Sequence, residues 1–172
     1  MTTSTDVGII LGSASDWPQV QPAAVLLKDW GITCEVVVAS AHRAPHKVQA
    51  YARDAAARGV KVIIAAAGMA AHLAGVLAAE TTLPVIGVPI TGSSLQGFDS
   101  LLSTVQMPAG VPVATMGIGA AGATNAAIFA AQILALNDPR LKERLKRHKQ
   151  DLEEKVAQQA EKIPAEFRRN DS

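Results

Sequence analysis

The chain predicts a doubly wound α/β sandwich of five parallel strands between two helical layers, followed by a charged helical extension. Three observations predict it. Five short runs, Val7 to Leu11, Cys34 to Ala39, Val62 to Ala66, Val85 to Val88 and Val113 to Met116, are near-continuously apolar, as parallel strands covered on both faces should be. Segments of helical spacing lie between them. No Ser- or Gly-rich linker divides the 172 residues, 49% of them apolar, so one α/β domain over residues 1–137 is expected.

In chain order, Val20, Ala24 and Leu27 give the first helix its apolar stripe, and Gly31 stops it. After the second run, Pro45 opens a helix carrying Val48, Tyr51 and Ala55, which ends at Gly59. Leu73, Val76 and Leu77 mark the third helix. Five such units imply a flavodoxin-like three-layer sandwich, with the ligand crevice at the carboxyl ends of the strands. Ala123 to Leu136 is apolar on nearly every face. One sheet face of a small domain is too little to cover such a helix, so burial against other subunits, and hence a homo-oligomer, is expected. Residues 138–172 hold more than half of the charged residues and read as a solvated helix with a thin edge of Leu141, Leu145 and Leu152, fraying before its end.

Composition narrows the function classes. Aromatics are 3% of residues and net charge is +1 with no basic stripe, which argues against a nucleic-acid reader. Met1 to Asp6 does not read as a signal peptide, and no apolar run reaches membrane-spanning length. Cys34 is the lone cysteine, so no intrachain disulfide forms and a reducing cytoplasm fits. No His, Cys, Asp or Glu spacing suggests a metal, and His46 and His148 lie on exposed-looking helix surfaces.

The chemistry gathers where strands end. Ser40-Ala41-His42-Arg43 sets a side chain suited to proton transfer beside a permanent cation suited to phosphate or carboxylate. In Gly12-Ser13-Ala14-Ser15-Asp16-Trp17-Pro18, small residues admit a ligand to the backbone, Ser13 and Ser15 offer hydroxyls, and a following helix aims free amides at an anion. Asp16 suits sugar hydroxyls; equally, Ser15 or Asp16 is simply a helix N-cap. The Gly68-Met69-Ala70-Ala71-His72 stretch makes a backbone-lined wall whose one titratable side chain is His72, unless His72 only caps the next helix. Convergence of the three strand ends favours a small phosphorylated metabolite.

Together Gly12 to Trp17, Ser40 to Pro45, Gly68 to Leu73 and Val105 to Val113 resemble, in order, the motifs of the bacterial N5-carboxyaminoimidazole ribonucleotide mutase family (PurE, class I). The resemblance runs from about Val7 to Leu136. It implies a purine-biosynthetic carboxylate transfer from an exocyclic nitrogen to a ring carbon, without metal, biotin or ATP, in a typically octameric enzyme. His42 then matches the general acid and base, Arg43, Ser13 and Ser15 the phosphate-binding positions, Asp16 the ribose position, and Ser40, Gly68 and His72 the pocket lining. Retaining CO2 demands a dry, closed pocket, for which the Gly68 to Ala71 wall and a lid over Thr91 to Gly97 are the candidates. Trp17 covers the sugar or anchors its helix.

Met69 stands where many members carry Gly, and Ala74 where many carry Pro. A second branch, which carboxylates aminoimidazole ribonucleotide directly, resembles Ser-Ala-His-Lys, so Arg43 and Trp17 favour the mutase branch. Of three rivals, the sequence argues against the first two. Gly117 to Gly122 matches the dinucleotide fingerprint but follows the last strand rather than the first. A response regulator would need an Asp where the third strand ends in Ala65-Ala66-Ala67. A non-catalytic nucleotide-binding assembly module would use Ser13, Asp16 and Arg43 but tolerate loss of His42.

Overall fold

The computed structural model describes residues 5–168. Most of the Met1 to Asp6 segment, and residues 169–172 of the extension expected to fray, therefore lie outside the described residues. Five parallel strands, β1 (Val7–Leu11), β2 (Cys34–Val38), β3 (Val62–Gly68), β4 (Val85–Ile90) and β5 (Ala114–Thr115), form one sheet in the order β2-β1-β3-β4-β5. That is the expected flavodoxin-like order. Val7 pairs with Cys34 on one side and Val62 on the other, and Ile63 with Val85. The helices are α1 (Trp17–Asp29), α2 (Pro45–Ala55), α3 (Leu73–Glu80), α4 (Phe98–Val105), α5 (Gly119–Leu134) and α6 (Pro139–Ala160).

Alternation along each strand divides the core in two. Val7, Ile9, Leu11, Ile64 and Val88 face α1 and α5, whereas Ile10, Ile63 and Ala65 face α2 and α3. Gly31 and Gly59 take positive φ where α1 and the α2 segment stop, as expected. The stripe of α1 is Val20, Ala23 and Leu27, with Ala24 only half-buried. β3 and β4 each run two residues beyond the predicted ends, carrying Gly68 and Ile90 to the crevice. β5 is shorter than its run, and β2 ends one residue early at Val38.

The reason given above for oligomerisation is corrected by α5. It starts at Gly119, and its Ala123, Ala126, Ala127, Ala130 and Ala131 are fully buried within the same chain, against α1 and the sheet. Alanine lets these helices approach closely, so its apolar character needs no other subunit to explain it. Among the large exposed apolar side chains, Leu95, Phe98, Leu102 and Val105 cluster before and along α4, and Leu136, just past the end of α5, is 81% exposed. α6 docks its first turns through Leu141 and Leu145, and His148, rather than projecting freely, meets Trp30 edge-on at 5.3 Å.

Asp6 laces together the amino ends of β1, β2 and β3. Its carboxylate takes Lys61 Nζ at 2.7 Å and the Thr33 hydroxyl at 2.8 Å, and its backbone carbonyl accepts the Lys61 amide. Burial alone would raise this carboxyl, but hydrogen bonds from Lys61 and Thr33 hold it below its ordinary value. A lowered acid contributes stability that is full above the ordinary carboxylate range and lost as pH falls through the folded value. Asp6→Asn is expected to cost about 1 kcal/mol at pH 7, a deficit that shrinks below about pH 4. Urea midpoints of the two proteins across pH check it.

Candidate active site

The three predicted strand ends meet. All eight predicted site residues, Ser13, Ser15, Asp16, Ser40, His42, Arg43, Gly68 and His72, line one cavity of about 520 Å³ at the carboxyl edge of the sheet. Thr91 and Gly92 line it too, so the start of the expected lid borders the cavity. A larger cavity, about 710 Å³, lies at the opposite edge, between Trp30 and α6. Its Lys61 and Arg140 are already paired with Asp6 and Asp138, so it offers no comparable convergence.

The β1 loop is held by its own polar groups. Ser13 has extended backbone and caps a single 3-10 turn at Ala14–Asp16: its hydroxyl accepts the Ser15 amide, and the Asp16 carboxylate accepts the Ser13 amide at 2.9 Å. This reciprocal box partly answers the N-cap alternative. Ser13 is the cap; Asp16, 9% exposed, braces the loop while lining the cavity, and it gives α1 no side-chain cap. Burial raises the Asp16 carboxyl, although the Ser13 amide, Ser15 and Arg43 pull it the other way. Ser15 donates its hydroxyl to Ser13 at 2.8 Å, placing two hydroxyls together at the cavity wall. A Cβ on Gly12 would come within 3.3 Å of the Ala67 Cβ, so this strand end approaches β3 closely. Trp17 packs on the core instead of lining the cavity, and so anchors its helix.

The β2 loop carries His42 and the cation Arg43. Ser40 shapes it: its hydroxyl accepts the Arg43 amide at 3.2 Å, and its carbonyl accepts the Ala44 amide. Lys47 closes the turn from α2 by donating to the Val38 carbonyl at 2.8 Å, a role the sequence reading missed. The exposed guanidinium of Arg43 reaches the Gly12 carbonyl only at 3.5 Å. Among the described residues it has no ion pair, which leaves its donors for an anion.

His42 and His72 come from different strands and meet. His42 Nε2 lies 2.8 Å from His72 Nδ1, with the rings edge-on at 4.9 Å between centroids. His72 does occupy the N-cap position of α3, but its side chain makes no capping bond and turns to His42 instead. One ring must donate and the other accept, so the contact holds one proton between the pair. Beside them, Gly68 is the residue that fits: a Cβ there would press within 3.2 Å of the Ile90 carbonyl oxygen. Met69 follows at φ +57, a left-handed conformation that glycine adopts more readily, with its side chain 60% exposed at the cavity wall.

Comparison with known proteins agrees with this geometry. The family model described as AIR carboxylase matches residues 6–155. An N5-carboxyaminoimidazole ribonucleotide mutase of Pyrococcus abyssi is 56% identical over 146 residues, covering 85% of this chain and 83% of that protein. A phosphoribosylaminoimidazole carboxylase of Saccharomyces cerevisiae is 51% identical over 157 residues, covering 91% of this chain and 27% of that protein. The crystal structure of Treponema denticola PurE superimposes with a TM-score of 0.81 at 26% identity, covering 92% of this chain and 98% of that one. Fold, ordered strand-end motifs and a family match over most of the length therefore agree, and the chain belongs to the AIR carboxylase family.

Proposed function

We propose that this enzyme is an N5-carboxyaminoimidazole ribonucleotide mutase of purine biosynthesis. The observation that carries the reading is the His42 and His72 contact in a cavity that Arg43, Ser13 and Ser15 also line. Arg43, the two serine hydroxyls and the amino end of α1 hold the phosphate, and Asp16 meets the ribose. Ser40 acts by shaping the loop under His42 and Arg43, and Gly68 by keeping the wall thin.

The reaction balances on one proton. The bond from the exocyclic nitrogen to the carboxylate carbon breaks, CO2 leaves, and that nitrogen takes a proton from His42. The ring carbon then attacks CO2, and His42 recovers a proton from the same ring carbon as aromaticity returns. The substrate supplies its own carboxylate, so the scheme calls on no ATP, biotin or metal. His72 fixes which His42 nitrogen carries hydrogen.

Presenting the protein with the N-carboxylated nucleotide and, separately, with aminoimidazole ribonucleotide plus bicarbonate tests the reading. C-carboxylated product from the first substrate alone supports the mutase; comparable use of the second at low CO2 favours direct carboxylation. That second reading has a specific observation behind it, the carboxylase name of the yeast relative. Tight nucleotide binding without turnover of either substrate would point to an assembly module.

The working form in this reading is a cytoplasmic homo-octamer, and α4 supplies the support that α5 does not. Leu95, Phe98, Leu102 and Val105 repeat at spacings of three and four, each about half or more exposed. Such an exposed apolar stripe is read as a surface for another copy. Phe98→Asp is expected to shift the parent assembly toward smaller species. Unchanged mass by light scattering would remove α4 from the interface.

A further inference from the structure

Gln19 lies in the first turn of α1, on no motif, yet it makes the densest long-range polar contact beside the cavity. Its Nε2 donates to the Thr91 carbonyl at 3.0 Å, while its Oε1 accepts the Thr91 amide at 3.3 Å and the Thr91 hydroxyl at 2.9 Å. A primary amide is the neutral side chain that matches a peptide N–H and C=O at once, so Gln19 grips the backbone much as a neighbouring strand would. The grip falls where β4 ends and the 91–97 loop begins.

Beyond Thr91 the loop is held mostly by itself. Ser93 accepts the Leu95 amide on its hydroxyl and the Gln96 amide on its carbonyl, and Gln96 and Gly97 both take positive φ to turn the chain into α4. Its far end is tied by the buried Ser100 hydroxyl, which donates to the Gly97 and Ile90 carbonyls. The near end depends on Gln19. The amino end of α5 passes the same point, where a Cβ on Gly119 would come within 3.3 Å of Gln19 Oε1.

We infer that Gln19 is a positioning residue which, acting through Thr91, holds the 91–97 loop beside the cavity and so limits escape of CO2 between its release and recapture. The anchorage stands on the geometry alone; the retention of CO2 rests on the mutase reading above.

Amide hydrogen exchange of residues 92–97 in the full chain tests the anchorage without requiring activity. Gln19→Leu removes all three bonds and is expected to raise exchange there about tenfold, with Gln19→Glu, which keeps two acceptor contacts, in between. With the N-carboxylated nucleotide as substrate, the fraction of turnovers ending in free decarboxylated nucleotide should rise about threefold or more in Gln19→Leu. The KM should stay within about threefold of the parent, since the phosphate site is untouched. Should Gln19→Leu not fold, Gln19→Glu and Thr91→Ala carry both comparisons. Parent-like exchange at 92–97 overturns the anchorage; raised exchange with a parent-like abortive fraction overturns the part in CO2 retention. A parent protein that does not turn over the N-carboxylated nucleotide overturns the mutase reading instead, and the exchange measurement still decides the anchorage.

Discussion

His42→Asn is expected to lower kcat by about 100- to 10,000-fold while nucleotide affinity stays within about threefold of the parent. Two separations in the site give this result. In the proposed mechanism binding rests on Arg43, Ser13, Ser15 and Asp16, at the ends of β1 and β2, and none of these side chains hydrogen-bonds to the His42 ring. In the same mechanism proton transfer rests on the histidine pair, and asparagine keeps a polar group of similar reach that cannot take up and return a proton. His72→Asn should cost less, about tenfold, because His42 survives and loses only the partner that sets its tautomer. Steady-state kinetics with the N-carboxylated nucleotide, beside calorimetric nucleotide binding, read both quantities. A variant keeping more than a tenth of the parent kcat would remove His42 from the chemistry, and equal loss of binding and turnover would make it a binding residue.

The parts of this site that were legible in sequence share a physical reason. Parallel strands buried on both faces must be apolar, so Val7 to Leu11 stands out, and the polar residues just past such a run mark the crevice. Ser13, Asp16, His42, Arg43 and His72 were all found that way. α4 was not, because it is built inside out. Its buried positions are Ser100 and Thr104, satisfied by the Ile90, Gly97 and Ser100 carbonyls, while Phe98 and Leu102 face outward. A reading that seeks an apolar stripe facing inward finds none there. Gln19 and Lys47 stayed hidden for another reason. A polar residue on a helix surface is ordinary in sequence, and only the fold shows Gln19 reaching a backbone 72 residues away.

Gly122→Ala carries the largest expected effect on stability, and it decides what the Gly117 to Gly122 pattern is for. As a dinucleotide fingerprint, its first, second and third glycines would serve the tight turn, the close approach of a pyrophosphate and helix packing. Here a Cβ on Gly122 would fall on the Gly117 carbonyl oxygen and within 2.5 Å of its carbon, both backbone atoms unable to swing aside. Relief requires moving either the turn into α5 or α5 itself, and the alanines of α5 are locked into the core against α1. Overpacking against backbone in a close-packed core should cost about 3 kcal/mol or more, lowering Tm by about 6–12 °C in a chain of this size. Gly117→Ala is the control: its Cβ would meet nothing within 4 Å, and its φ lies outside the left-handed region, so its stability should stay within about 0.5 kcal/mol of the parent apart from the ordinary backbone effect. Equal losses from the two substitutions, or a parent-like urea midpoint for Gly122→Ala, would defeat the packing account. Damage from Gly122→Ala alone makes the pattern a device for seating α5, whose amino end passes Gln19 and thereby the loop beside the cavity.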